Sequence, residues 1–415
     1  MEKRLKVVVS AYACEPGLGS EPEVGWQWVL QLARFYDVWV FTRENNSASI
    51  RASGVLETCP GLHFKFYDLP LWLRFWKKGG RGVHLYYLLW QWGAWLRAWG
   101  LHRREKFDFC HHVTFSAMYH FPVFSLLPIP FVWGPVGGGE TLPFRFVAGY
   151  RWRHRFREGL RILLGIVTRI NPLFYLACYR SRLILAATEQ TRMTIPRVFQ
   201  NRVVLEAQIG MPGHASNIKM ANTKDAIRFI TASRHVYWKG IDLLLYAFRH
   251  YLDAGETGGR LTILGHGPET PHLKELCQRL GLDGHVHFTA RLPAREMVLD
   301  AFAQADVFVY ASVLECAGYV VLEALSMGTP VVCLDLPGPG EIVDDQCGIR
   351  VAAKNPQEAI QGMARAMITL TQDRQRLVRL TRGTKQRVEK QFLWNLKGER
   401  LYRLIFQKGY RSPNP

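Results

Sequence analysis

The stretch LECAGYVVLEALSMGTPVV (residues 314–332) decides the fold, and its only charged residues are Glu315 and Glu323. The preceding apolar run DVFVYAS (306–312) is typical of a buried strand, and Gly318 begins a helix that a later glycine and proline end. A buried carboxylate is costly unless hydrogen-bond donors meet it. We therefore expect a strand–turn–helix unit whose two carboxylates face a polar ligand. The alternative for Glu323 is a surface position on an amphipathic helix.

The same alternation of short apolar strands with helices runs through both halves of the chain. This pattern predicts an α/β protein with parallel sheets. Periodicity lapses over 208–226, where we place a linker. We therefore expect an N-terminal domain at 1–215, a C-terminal domain at 216–391, and a last helix at 392–415 that returns to the first domain. Strands are predicted at 5–13, 38–42, 62–69, 107–114, 130–134, 183–188, 201–207, 226–233, 261–265, 285–289, 306–312 and 330–334.

Composition indicates a folded, basic, two-domain protein. The chain has 415 residues, 48% of them hydrophobic, and a net charge of +19. Residues 1–210 hold 27 Lys and Arg against 14 Asp and Glu, so the first half carries most of the charge. The eight cysteines lack CxxC or His-pair spacing, and the N-terminus reads as a core strand rather than a signal peptide. We expect reduced thiols in a cytoplasmic protein.

The pattern E-x7-E followed by ALSMGTPVV resembles the signature of the GT-B retaining glycosyltransferases of family 4, the glycosyl transferases group 1. That signature reads E-G-F-G-x4-E-A-x-A-x-G-x-P-V-V. The sequence departs from it at Cys316 and Ala317, which replace a glycine and an aromatic residue. The matching residues are Glu315, Gly318, Glu323, Ala324, Gly328, Pro330, Val331 and Val332.

The resemblance implies the GT-B fold, two facing Rossmann-like domains with a cleft between them. It also implies transfer of a sugar from a nucleoside diphosphate-sugar to a hydroxyl, with retention of configuration. In such a site Glu323 would hold the donor ribose and Glu315 would contact the sugar ring. Backbone N–H groups at Gly318 would suit a phosphate.

The segment ASRHVYWKGIDLLLYAF (232–248) resembles the phosphate site of the same family. There, Arg234 and Lys239 would bracket the donor diphosphate and offset the charge on the departing nucleotide. The alternative is a turn with solvated charges. No D-x-D motif occurs. We therefore expect no metal ion and no further cofactor, in contrast to the metal-dependent GT-A transferases.

Two glycine pairs follow predicted strands. Gly17 and Gly19 lie in the loop CEPGLGSEPEVGW, which resembles the family's glycine loop that faces the donor and acceptor, and they would allow close approach of the backbone to a ligand. Gly265 and Gly267 in LGHGP would line the nucleotide site. Ordinary tight turns are the alternative for both pairs.

Two further residues of the first half follow predicted strands. By resemblance, His112 in CHHVTF would contact the donor sugar, rather than His111; the alternative is a core histidine. Glu140 in WGPVGGGE follows a glycine-rich loop and could bind acceptor hydroxyls, or the loop is purely structural.

Basic aromatic segments at 69–106 and 144–170 mix Trp, Leu and Arg, as helices in a membrane interface do. They suggest an anionic membrane partner, a glycolipid or polyprenyl-linked acceptor and a position at the inner face of the plasma membrane. The alternative is helices that bury their apolar faces. The longest charge-free apolar run there, 83–96, is too short to span a bilayer. We expect no nucleic-acid partner, because the charges lie among apolar residues.

Two other functions remain open from the sequence. One is a GT-B sugar epimerase or phosphorylase. The other is a membrane or nucleic-acid binding module without catalytic activity.

Overall fold

The computed structural model describes residues 4–74, 76–77, 79, 82–213, 226–290 and 292–408. The chain divides into two compact units. The first consists of Met1–Gly139, Leu164–Gly210 and Trp394–Pro415, and the second of Glu140–Leu163 and Met211–Leu393. The domain boundary predicted at 215/216 lies outside the described residues.

The first unit is built on a seven-stranded sheet in the order β3-β2-β1-β4-β5-β6-β7. All neighbouring strands run parallel. The first six positions follow the 3-2-1-4-5-6 order of a Rossmann sheet. Its strands are β1 Lys6–Ser10, β2 Asp37–Arg43, β3 Leu62–Tyr67, β4 Phe109–His112, β5 Phe131–Val136, β6 Ser181–Ala186 and β7 Val203–Leu205.

The second unit repeats this architecture with six parallel strands in the order β10-β9-β8-β11-β12-β13. Two Rossmann-like parallel sheets confirm the predicted α/β class. The strands are β8 Arg228–Ala232, β9 Arg260–Leu264, β10 Val286–Thr289, β11 Val307–Tyr310, β12 Val331–Leu334 and β13 Gly348–Val351.

Helices connect the strands of both sheets. Those of the first half are α1 Ser20–Ala33, α2 Ser47–Ala52, α3 Val55–Thr58, α4 Leu71–Arg74, α5 Val83–Glu105, α6 Phe144–Ala148, α7 Trp152–Ile170, α8 Pro172–Arg180 and α9 Glu189–Thr194. Those of the second half are α10 Ile241–Asp253, α11 Thr270–Arg279, α12 Arg295–Gln304, α13 Tyr319–Ser326, α14 Pro339–Ile342, α15 Pro356–Gln372, α16 Arg374–Gln391 and α17 Trp394–Gln407.

Helix α17 packs against α1 within the first unit. The rings of Trp28 and Trp394 meet edge to face with their centroids 5.5 Å apart. Lys397 lies beside them, fully buried and ion-paired with Glu206. The ammonium also donates to the carbonyl of Ala207 over 2.7 Å. A buried lysine is tolerated because a carboxylate and a carbonyl oxygen meet its donors.

No single helix in the part of the chain that the structure describes is both long and apolar enough to cross a membrane. The pair α7 and α8, bent by 60° at the break between them, meets the length and composition criteria only when the two are taken together.

Candidate active site

Most predicted site residues of the second unit follow the carboxyl ends of its parallel strands. Arg234 and Lys239 follow β8, Gly265 follows β9, and Glu315 follows β11. In a sheet with this strand order, the carboxyl ends of the strands form the usual ligand-binding edge. Each of these residues lies there because a buried strand ends and a loop rich in polar residues and glycine begins.

Lys239 and Glu315 form an ion pair at this edge. Tyr310, the last residue of β11, completes the cluster: its hydroxyl donates to Glu315 over 2.7 Å and lies 2.7 Å from the Lys239 ammonium. The side chains of Lys239 and Glu315 are 15% and 20% exposed, so the pair is largely shielded but reachable.

The environment keeps Glu315 ionised. Burial alone raises the pKa of a carboxyl group, but the charge of Lys239 and hydrogen bonds from Lys239, Tyr310 and the Gly318 backbone outweigh it, so the pKa of Glu315 is lowered. Burial, with the nearby Glu315 charge, raises the pKa of Tyr310 well above its usual value. At neutral pH the cluster therefore holds one ammonium, one carboxylate and one neutral phenol.

Glu323 lies on α13 and has a cationic partner that sequence analysis missed. Arg295, the first residue of α12, donates from its Nε to the Glu323 carboxylate over 2.8 Å. The same guanidinium lies 5.3 Å from the ring centroid of Tyr319. Burial raises the pKa of Glu323, and Arg295 offsets part of that rise. The Glu323 side chain is 13% exposed, so it lies neither in bulk water nor in a sealed core.

The turn after β9 needs both of its glycines for packing. A Cβ on Gly265 would lie 2.0 Å from the carbonyl oxygen of Ser233, and one on Gly267 would lie 2.3 Å from that of His235. His235 also accepts or donates a 2.8 Å hydrogen bond with Thr270, at the start of α11. The two glycines therefore allow the loops after β8 and β9 to touch.

Arg234 is exposed on the loop after β8, and its guanidinium lies 5.8 Å from the ring centroid of Trp238. Gly318 precedes the first residue of α13 and has a φ of 63°, a left-handed conformation that favours glycine. The structure thus joins Lys239 to Glu315 directly, and Gly318 to Glu315 through its N–H.

Glu140 belongs to the second unit and is buried. The thiol of Cys316 donates a hydrogen bond to its carboxylate, and burial together with the charge of Glu140 raises the pKa of that thiol well above its usual value. Cys316 is one of the two residues at which the sequence departs from the family signature. The departure therefore places a hydrogen-bond donor against a buried carboxylate.

The glycine loop of the first unit follows β1. Gly17 and Gly19 have φ of 76° and 65°, and nothing lies within 4 Å of a Cβ built on either. The N–H of Gly17 donates to Glu23 over 2.8 Å. Helix α1 begins at Ser20, three residues before Glu23. This is the spacing of a capping box, but no side chain caps the start of the helix. Through its hydrogen bond with Gly17, Glu23 instead stabilises the glycine loop.

His112 ends β4 and is buried, with its Nε2 2.9 Å from the Tyr87 hydroxyl. Its Nδ1 has no hydrogen-bond partner among the described residues. Burial, with neighbouring histidines, lowers the pKa of His112 to about 3. His111 contacts the Gly134 carbonyl over 2.7 Å, and burial lowers its pKa to about 4. Both rings are therefore neutral at physiological pH.

Among the residues with described positions, no group of three or more His, Cys, Asp or Glu side chains is placed to hold a metal ion.

Three partners escaped the sequence analysis: Tyr310, Arg295 and the Cys316 contact with Glu140. Tyr310 could have been found, because it ends the strand that leads directly into Glu315. The other two depend on contacts between distant segments: 28 residues separate Arg295 from Glu323. No local pattern in the sequence reports such a contact.

Comparison with known proteins points to one family. The model of the family described as "Glycosyl transferases group 1" matches residues 216–387. An uncharacterized glycosyltransferase of Methanocaldococcus jannaschii is 33% identical over 144 residues, which are 34% of this chain and 36% of that protein. The alpha-monoglucosyldiacylglycerol synthase of Streptococcus pneumoniae is 33% identical over 135 residues, 31% of this chain and 30% of that protein. The matches thus span about a third of the length of these curated relatives.

Among solved structures, Anabaena HepE in complex with UDP and glucose is similar over 97% of this chain and 99% of that one, with a TM-score of 0.61 and 14% sequence identity. At this identity the likeness concerns the fold. Together with the two parallel sheets, it identifies the architecture as GT-B. Residues 216–387 of this GT-B chain are similar to the glycosyl transferases group 1 family.

Proposed function

We propose that the protein is a retaining glycosyltransferase that moves a sugar from a nucleoside diphosphate-sugar to a hydroxyl acceptor. The observation that carries this proposal is the cluster of Lys239, Glu315 and Tyr310 at the carboxyl edge of the second sheet, within the segment that the family model matches. A shielded ammonium beside an ionised carboxylate suits a ligand with a negative leaving group and a hydroxyl-rich ring.

Each charged group has a role in this proposal. Lys239 and Arg234 bind the diphosphate and offset the negative charge that grows on it as the sugar–oxygen bond breaks. Glu315, which stays ionised, accepts hydrogen bonds from sugar hydroxyls and stabilises positive charge on the sugar ring. The same pair of cations makes a metal ion unnecessary in this scheme. We assign no covalent nucleophile.

Glu323 accepts hydrogen bonds from the two ribose hydroxyls, and Arg295 acts as its positioning residue. Arg295 uses its Nε for one carboxylate oxygen, Oε1. A carboxylate has about four lone-pair sites, so acceptor capacity remains for two hydroxyls. Gly318, Gly265 and Gly267 shape the loops around the nucleotide.

In the first unit, His112 is a neutral imidazole whose Nδ1 has no partner among the described residues. We propose that it meets the donor sugar. Gly17 and Gly19 leave open space where other residues would have a Cβ, which suits close approach of a ligand to the backbone. Glu140 is assigned to acceptor binding, through the carboxylate that Cys316 orients.

We further propose an acceptor that is lipid-linked or a growing polysaccharide at the cell surface, with the protein on the cytoplasmic side of the plasma membrane. Two observations support the lipid-linked form. The similar protein from S. pneumoniae bears the name of a glucosylated diacylglycerol synthase. Exposed apolar side chains also line α5, α7 and α8.

Product analysis tests the reaction. The purified protein is incubated with each nucleotide-sugar that it binds and with a bacterial lipid extract, and the product linkage is read by proton NMR. We expect a glycosidic bond with the same anomeric configuration as the donor. An epimerised nucleotide-sugar would instead identify an epimerase. Sugar phosphate formed from a glycan when inorganic phosphate is supplied in place of the nucleotide-sugar would identify a phosphorylase. An inverted linkage would overturn the assignment as a retaining enzyme.

A further inference from the structure

Helices α7 and α8 expose many large apolar side chains. We call this the α7–α8 surface and define it by the side chains of these helices that are large, apolar and exposed. Large contiguous apolar patches are rare on monomeric soluble proteins, and they mark interaction sites. The members are Trp152, Phe156, Leu160, Ile162, Leu163, Leu164, Ile166, Val167, Ile170, Leu173, Tyr175, Leu176 and Tyr179.

The opposite side of α7 is a narrow buried strip, and its N-terminal part is fixed to the second unit. Glu158 and Thr168 are almost fully buried. Glu158 accepts a hydrogen bond from Tyr237 over 2.6 Å, and the Tyr237 ring stacks on His154 with centroids 4.0 Å apart. Because these contacts set the rotation of α7, its exposed apolar side chains have a fixed direction.

The charged residues of this surface are almost all positive. Residues 152–180 contain six arginines and a single acid, Glu158. That acid is buried and paired with Arg161 over 2.9 Å, so it adds no negative charge to the exposed face. An apolar face flanked by arginines is the composition of a helix that lies in the interface of an anionic bilayer. The arginines can extend from the apolar layer to the phosphates.

A basic cavity adjoins the end of α8. It has a volume of about 480 Å³ and is lined by Tyr179, Arg180, Arg182, Asn201, Arg202 and Lys408. Four of the six lining residues are cations, and none is a carboxylate.

Three of these cations donate hydrogen bonds to backbone carbonyls. Arg180 donates to the carbonyls of Ser125 and Leu127, and Arg202 to those of Tyr179 and Ser181. Lys408 donates to the carbonyl of Asn201 over 2.8 Å. These bonds hold the guanidinium groups in place. The cavity is therefore a pre-organised concentration of positive charge, suited to a phosphodiester.

Tyr179 connects the cavity to the apolar face. It lines the cavity, is 66% exposed, and lies one helical turn from Tyr175 and Leu176 on α8. An amphiphile with an apolar tail and an anionic headgroup would meet both features at once. A nucleic acid would leave the apolar face uncovered, and a neutral lipid would leave the cations without a partner.

We propose that the α7–α8 surface docks on a bilayer of anionic phospholipid, with one headgroup phosphodiester bound in the cavity of Arg180, Arg182, Arg202 and Lys408. The inference refines the membrane placement proposed above by naming the lipid class and its binding residues. It does not depend on which sugar the protein transfers. The helices lie in the interface, because six arginines along the pair oppose insertion across the hydrocarbon layer.

Vesicle flotation tests this proposal on the full-length protein. Vesicles of pure phosphatidylcholine are compared with vesicles containing about one-third phosphatidylglycerol, at low and at high NaCl concentration. The cavity variant is Arg182→Gln with Lys408→Gln, which removes two charges and leaves Arg180 and Arg202 in place. The matched control is Arg382→Gln with Lys385→Gln, two exposed residues of α16. The face variant is Leu163→Gln with Ile170→Gln, also at exposed positions.

We expect the wild type to float with the anionic vesicles, and to bind neutral vesicles at least tenfold more weakly. The cavity variant should bind anionic vesicles about 30-fold more weakly, as two lost charges near an anionic surface would cause, and the control less than twofold. High salt should weaken binding, since charge contributes to it. Unchanged thermal unfolding of each variant shows that the fold is intact.

Three outcomes would overturn the proposal. The wild type fails to float with anionic vesicles at low salt. The control variant loses as much affinity for anionic vesicles as the cavity variant, so that binding depends only on the overall positive charge of the protein. Light scattering shows that the wild type is a dimer and the face variant a monomer, and neither binds vesicles. The α7–α8 surface would then be the interface between two copies of the chain. Nucleotide-sugar binding, measured on the same samples, is expected to be unchanged in every variant.

Discussion

Arg295 holds Glu323 by a 2.8 Å hydrogen bond between Nε and Oε1, across 28 residues of sequence. The carboxylate assigned to the donor ribose thus has a cationic partner before any ligand arrives. Glu323 is therefore oriented and partly neutralised in advance. A carboxylate fixed in this way loses little side-chain entropy when it binds two hydroxyls.

Replacing Glu323 with Gln should weaken nucleotide-sugar binding about 10- to 100-fold, since hydrogen bonds to a charged group contribute about 1.5–3 kcal/mol. Glutamine retains the shape of the side chain and can still accept from Arg295, so the melting temperature should change little. Isothermal titration calorimetry measures the first effect and thermal unfolding the second. Equal affinity of the variant and the wild type would remove Glu323 from the binding site.

Replacing Arg295 with Gln tests its role as a positioning residue through pH. Burial raises the pKa of Glu323, and Arg295 counteracts this rise. Without Arg295 the pKa rises further, so protonated Glu323 appears at higher pH. Donor affinity of the variant should therefore fall more steeply than that of the wild type as pH drops from 8 to 6. Parallel pH profiles would contradict this role.

Replacing Lys239 with Met should destabilise the second unit as well as abolish donor binding. Removal of one partner leaves Glu315 shielded and unpaired, which we expect to cost about 2 kcal/mol after allowance for partial exposure. The double variant Lys239→Met, Glu315→Leu should be more stable than the single variant because no unpaired charge remains. Urea unfolding of the four proteins of this cycle gives the coupling energy. A double variant as unstable as the sum of the two single variants would show that the pair is not coupled.

The buried histidines make the first unit sensitive to acid. Burial lowers the pKa of His111 and His120 to about 4 and that of His112 to about 3, against 6.5 for the ordinary ring. Below pH 6.5 the unfolded chain binds protons that the folded chain does not, so stability is lost as pH falls from 6.5 towards 4. Each ring should contribute roughly 1.4 kcal/mol per pH unit in this window.

His112→Gln should remove one ring's share of that slope. The measurement is the free energy of unfolding by urea at several pH values, with the exposed His250 replaced by Gln as the control. A His112→Gln slope equal to that of the wild type would mean that the His112 ring is protonated equally in the folded and unfolded chains.

Cys316 should be alkylated slowly by iodoacetamide at pH 8, because burial and the charge of Glu140 raise the pKa of its thiol and the thiolate is the reactive form. Glu140→Gln removes that charge and so lowers the pKa of Cys316, and alkylation should then be faster. Peptide mass spectrometry follows the rate, with Cys59 as the internal reference, since both cysteines are partly exposed. No change in the rate would show that the two side chains do not interact.

Much of the second unit could be predicted from sequence because its signals are local. The strand before Glu315, the left-handed glycine before α13 and the helix after Lys239 all follow from neighbouring residues. The helix predicted to begin at Gly318 is observed as α13, Tyr319–Ser326. Strand β13 was missed because GIRV is short, begins with glycine and carries an exposed arginine at the sheet edge.

Contacts between distant segments could not be predicted. Nothing near Arg295 marks it as the partner of Glu323, and nothing in WGPVGGGE shows that Glu140 meets Cys316. The capping-box spacing of Ser20 and Glu23 does not produce a side-chain cap, for a related reason. Glu23 has a competing partner, the N–H of Gly17, and that bond depends on how the loop after β1 folds back.

The most direct test of the central claim, that the second unit binds a nucleoside diphosphate-sugar through Lys239, is a thermal-shift screen with UDP-, GDP- and ADP-sugars. The proteins compared are the wild type, Lys239→Met and the surface control Lys385→Gln. We expect at least one nucleotide-sugar, at about 100 times its Kd, to raise the melting temperature of the wild type and the control by roughly 5 °C and to leave Lys239→Met unshifted. No shift with any nucleotide-sugar, or an equal shift in Lys239→Met, would contradict the claim.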